Sequence, residues 1–129
     1  MSWDYYLGDS KKTTLIKEED LKTKLSDEFV VTEVVKDENG WVRGFFVKEK
    51  NKDEDWEFAR QEDGSFWTSS TMSEEWSKEI WEIANKIASK LNWQIKDPQS
   101  DAEWHDQVPF QNETVEFAVK VLNKITGKP

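Results

Sequence analysis

His105, the chain's one histidine, sits among Glu103, Trp104 and Asp106. A histidine beside carboxylates is the raw material of a general base, but nucleophilic catalysis also needs an activated partner within hydrogen-bond reach. No serine lies on a strained G-x-S-x-G turn, and there is no cysteine to serve instead. His105 is therefore expected to be a surface residue of a polar loop. Metal chemistry is equally short of ligands. One histidine and no cysteine leave only carboxylates, which suit hard cations such as calcium or magnesium. Two segments are acid-dense, Asp53-Glu54-Asp55-Trp56-Glu57 and the run from Asp97 to Asp106, but neither carries the spacing of a calcium loop. Paired carboxylates could hydrolyse glycosides, yet 27 acids offer pairs everywhere, so spacing alone singles out none. The five glycines are scattered and build no phosphate loop. Asn112-Glu113-Thr114 matches a glycosylation sequon and is expected simply to begin a helix. No catalytic, cofactor-binding or metal-binding residue is predicted.

Binding chemistry is better supplied. Of the eight tryptophans, Trp3, Trp41, Trp56 and Trp93 fall in predicted strands and Trp76 on a helical apolar stripe, where packing explains them. Trp81 and Trp104 have no evident buried face. Residues 97–116 hold Asp97, Asp101, Glu103, Asp106, Glu113 and Glu116 without one Lys or Arg, and Trp104 lies near their centre. An exposed tryptophan among carboxylates has the composition of an interface anchor with a charged surround. The predicted partner-binding residues are Trp104 and Trp81 with Asp97, Asp101, Glu103, Asp106 and Glu113. The alternative for the acids is a solvated loop leading into the favourable acidic start of a helix.

The composition narrows the partner. The 129 residues carry a net charge of −9, which disfavours nucleic acid and anionic membrane and favours a basic partner or plain solubility. Absence of cysteine excludes a disulfide scaffold and a thiolate zinc site. The opening Met1-Ser2-Trp3-Asp4-Tyr5-Tyr6 has neither the basic nor the apolar region of a secretory leader. No run approaches the roughly 18 apolar residues of a membrane helix. A cytoplasmic protein is expected.

These residues must be positioned by a scaffold, and the pattern describes one. Residues 1–129 are expected to form one domain. A short strand is predicted over Trp3 to Leu7 and a helix over 17–27, with Leu21 and Leu25 on one face. Phe29 to Lys36 is rich in β-branched residues and would place Phe29, Val31 and Val35 on one side. Asn39-Gly40 then signals a hairpin into a return strand from Trp41 to Lys48. Further strands are predicted from Trp56 to Gln61 and from Phe66 to Ser69, separated by Asp63-Gly64. A long helix follows, capped by a Thr71-x-x-Glu74 box or by Ser73, with Trp76, Ile80, Ile83, Ala84, Ile87 and Leu91 as its apolar stripe. Trp81 lies off that stripe. The strand Trp93 to Lys96 and a looser segment at 97–111 lead to a last helix. It would be capped by Asn112, buried along Val115, Ala118, Val119, Leu122 and Ile125, and ended by Gly127. The order β-α-β-β-β-β-α-β-α describes an α+β fold: an antiparallel meander sheet of four to five strands with helices packed on one face.

In size, charge and architecture the chain resembles immunity proteins of bacterial toxin–immunity systems, such as the contact-dependent growth-inhibition type. The opening Met1-Ser2-Trp3-Asp4 and the passage Leu91-Asn92-Trp93-Gln94-Ile95-Lys96-Asp97 are also similar to small bacterial α+β proteins. The immunity resemblance implies a stoichiometric inhibitor of a basic cognate toxin, with nucleases as a common class, and it carries no residue roles over. The expected function is accordingly a non-enzymatic binding protein for a basic protein partner, without cofactor. The alternatives are a nucleic-acid-mimicking inhibitor, or a small-ligand or carbohydrate binder that stacks on tryptophan. The last would require a concave pocket lined by at least two tryptophans.

Overall fold

Trp3, Tyr5 and Leu7 alternate with Asp4 and Tyr6, and in the computed structural model this alternation becomes β1 (Ser2–Gly8). The structure describes residues 2–9, 14–71, 73–101 and 103–127, the side chains of Ser2, Thr71, Glu74, Asn112 and Glu113 excepted. After β1 come α1 (Glu18–Leu25), β2 (Phe29–Lys36), β3 (Val42–Glu49), β4 (Trp56–Arg60) and β5 (Phe66–Thr71). The chain closes with α2 (Glu74–Leu91), β6 (Gln94–Lys96) and α3 (Asn112–Thr126). This is the predicted α+β order. The sheet has six strands, however, where four to five were expected: β1 inserts between β5 and β6, giving β2-β3-β4-β5-β1-β6 with every described pairing antiparallel.

One face of the sheet carries the core. Trp3, Tyr5, Leu7, Phe45, Val47, Phe58, Phe66 and Ile95 are buried against Ile80, Ile83, Ala84, Ile87 and Leu91 of α2. Phe45 stacks on Phe58 with centroids 5.0 Å apart, and Phe66 on Trp93 at 5.1 Å. All three helices belong to this layer. α2 packs on β5, β1 and β6, α1 on β2 and α2, and α3 on α2.

Local chemistry sets the boundaries. Between β2 and β3, Gly40 takes φ +82°, the left-handed region that favours glycine. Asp37 accepts the amides of Asn39 and Trp41 at 2.9 and 3.1 Å. Arg60 donates to Asp37 at 2.7 Å and holds its carboxyl below the usual range. α2 is capped by Ser73, whose hydroxyl accepts the Trp76 amide at 3.1 Å, while Thr71 stays in β5. The Thr71 capping box is thereby replaced by its alternative.

Three further expectations change. A bulge between Val31 and Glu33 shifts the phase of β2, so Val34 packs on the core and Val35 turns outward at 40% exposure. Helix α3 starts at Asn112, with Gln111 as its cap and no side-chain cap bond, so Asn112 is the first helical residue instead of the cap. Val115, Ala118, Val119 and Leu122 pack as expected, but Ile125, in the last turn of α3, is 74% exposed.

Candidate partner-binding surface

The 97–111 segment is tied down at both ends. His105 exchanges two backbone hydrogen bonds with Ile95, at 2.7 and 2.9 Å, which lays residues 104–106 along the outer edge of β6. At the other end, Val108 is gripped by α2. The Asn85 side chain accepts the Val108 amide at 3.0 Å and donates to its carbonyl at 3.2 Å, and the Trp81 indole donates to the same carbonyl at 2.7 Å.

This arrangement separates the predicted site residues. Asp101, Glu103 and Asp106 are exposed around the half-buried Trp104. Asp101 accepts the Glu103 amide at 3.0 Å and lies 2.9 Å from His105 Nε2, and these contacts hold its carboxyl below the ordinary range. Asp106 accepts from Gln94 at 3.4 Å. Asp97 is a correction: it is fully buried and offers nothing to a partner. Its Oδ1 accepts the Gln99 amide at 2.9 Å, Oδ2 has no partner among the described residues, and burial pushes the carboxyl up. Trp81 is half-buried, as Trp104 is, but lies apart from it. Its indole N–H is taken by Val108, its ring rests against Phe110 with centroids 5.6 Å apart, and it belongs to the helical layer on the opposite side of the sheet from Trp104. The Glu113 side chain lies outside the described residues.

Trp104 does join something that sequence reasoning missed. Register carries one row of residues across the six strands on the face away from the helices: Val35, Gly44, Ala59, Trp67, Tyr6 and Lys96. Trp104 adds to its end. The Lys96 ammonium lies 5.4 Å from the Tyr6 ring centre and 4.8 Å from that of Trp104, bridging the two rings. Over Gly44 and Ala59 the missing side-chain bulk leaves a shallow hollow of about 190 Å³ beside Phe46 and Glu57. Tyr6, Trp67, Phe46 and Trp104 are all half-buried here, and among the described residues no helix packs over them. The signal was present in the alternation of Trp67 with the buried Phe66 and Thr68, and of Tyr6 with Tyr5 and Leu7.

Among the described residues no three His, Asp or Glu side chains converge to hold a metal ion, and no helix is long and apolar enough to cross a membrane. No protein-family model, no curated protein and no solved structure matches the chain.

Proposed function

We propose that this chain is a non-enzymatic binding protein that receives a basic protein on the open face of its sheet, in the manner of an immunity protein neutralising a cognate toxin. The observation that carries this is the row Trp67, Tyr6, Lys96 and Trp104 on an uncovered face, bordered at its end by Asp101, Glu103 and Asp106. Aromatic side chains held by a rigid sheet can anchor a complex at little entropic cost, and the carboxylates at the margin would speed encounter with a positive surface. A nuclease, whose substrate-binding surface is basic, is the toxin class such a face would cover. A nucleic-acid mimic is disfavoured because bases are interleaved with the acids, as in Lys22 and Lys36 on Glu18 and Lys86 and Lys90 on Glu28.

Co-expression with the protein encoded immediately upstream tests the proposal. A complex that protects the cells is expected, and Trp67→Ala or Trp104→Ala should each weaken it about tenfold, the range of interface anchors. Absence of both complex and protection overturns it.

A further inference from the structure

A second concave site lies where β4 and β5 part. The two strands pair only through Ala59 with Trp67 and Arg60 with Phe66. Beyond that point each follows its other neighbour: β3 holds β4 as far as Trp56, opposite Val47, and β1 holds β5 as far as Thr71, opposite Ser2. The facing edges of 56–58 and 68–70 are left unpaired with each other, and a cleft of about 360 Å³ opens there.

Phe46, Trp56 and Trp76 and the acids Glu54, Asp55 and Glu57 line this cleft, Trp56 with only 8% of its surface exposed, and among the described residues no Lys, Arg or His belongs to its walls. The Trp56 and Trp76 rings meet edge to face, centroids 6.0 Å apart at 63°, and so form a corner. The corner is built in advance. Ser73 caps the turn that carries Trp76, and the Ser70 hydroxyl donates to the Trp76 carbonyl at 3.3 Å. Thr32 of β2 donates to Asp55 at 3.3 Å, reaching past β3. Among the described residues none of the three carboxylates has an ion-pair partner.

Ring faces carry negative potential and attract cations, and unneutralised carboxylates at the rim add to that attraction. Anions are repelled by the same arrangement. A sugar gains most from a flat ring platform, which a 63° corner does not provide. The volume is near the lower end of small-molecule sites and admits one compact group. The geometry points to this cleft as a binding site for an organic cation, an alkylammonium or a guanidinium group. It meets the two-tryptophan requirement of the small-ligand alternative, and it shares Phe46 and Glu57 with the hollow on the face of the partner proposal.

The test uses the purified chain alone. Choline, N-acetylarginine amide and the neutral choline isostere 3,3-dimethylbutan-1-ol are titrated while the indole N–H resonances of Trp56 and Trp76 are followed by NMR. Assignment comes from Trp56→Phe and Trp76→Phe. Saturable shifts with at least one cation are expected, with the neutral isostere weaker by about tenfold. Binding of choline identifies a free amine as the natural source, and binding of the arginine amide a side chain of another protein. Trp76→Leu should weaken binding about tenfold, and the surface pair Glu54→Gln with Glu57→Gln about threefold. The charge variants keep the test decisive if Trp76→Leu fails to fold. Equal response to the neutral isostere, or no saturable shift with either cation, overturns the assignment.

Discussion

At the residue scale, Asp97 is the sharpest departure from its sequence context. It looks like one member of an acidic run, yet it is buried with one oxygen unpartnered, and burial raises its folded pKa. Below the ordinary carboxylate range both folded and unfolded chains hold this proton, and burial of the group costs nothing in charge. As pH rises, the unfolded chain releases the proton first, so stability falls until the raised folded value is passed. Asp97→Asn keeps the acceptor for the Gln99 amide and removes the charge. It should therefore raise stability at neutral pH, because a buried amide escapes the desolvation that a buried carboxylate suffers there. The gain should vanish in acid, and urea unfolding of both forms at two pH values reads it directly. Asn85 is the converse case, a buried amide with its bonds made. Asn85→Leu preserves the size of the side chain but strands the Val108 amide, and a loss of about 2 kcal/mol is expected. Faster hydrogen exchange at Val108 should accompany it. Wild-type exchange there would show that α2 does not grip the segment.

Elements differ in how their ends are secured. α2 has a side-chain cap in Ser73 and stops at Asn92, whose φ of 58° is left-handed; α3 begins at Asn112, and its cap Gln111 makes no side-chain cap bond. Ser73→Ala should then cost about 1 kcal/mol, the usual worth of such a cap. Gln111→Ala should stay within about 0.5 kcal/mol, as for an unengaged surface residue. Thermal unfolding of the two variants separates these cases, and equal losses would refute the capping assignment. The helices and the Asn39-Gly40 hairpin were legible because their signals are local, namely an apolar stripe at helical spacing and a turn that demands positive φ. The bulge in β2 was not. It is defined by two residues opposing one on β3, and Thr32 carries no mark of it.

For the whole molecule, charge acts through place as much as through sum. The net −9 includes carboxylates neutralised by lysines, such as Glu49 with Lys52 and Lys86, which gives the helical side a mixed surface. Around Trp104 the exposed Asp101, Glu103 and Asp106 face solvent with Lys96 engaged on the rings. Association with a basic partner should slow by about tenfold between low and high salt, as screening shortens the reach of the charges. The triple variant Asp101→Asn, Glu103→Gln, Asp106→Asn should flatten that dependence with little change in dissociation rate. Stopped-flow kinetics at several ionic strengths checks both, and an unchanged salt slope would remove these residues from the encounter.

By itself the sequence determined the α+β class, the order of elements, the apolar stripe of α2 and the stop at Gly127. All of these follow from periodicity and backbone preference within a few residues. Tertiary structure alone decided that β1 lies between β5 and β6, that Asp97 goes inside while Asp101 stays out, and that Trp104 joins Tyr6 and Trp67 on the open face. Those outcomes depend on pairing between segments far apart in the chain. Alternation tells which side chains share a face, but only the packed layers tell which face is covered.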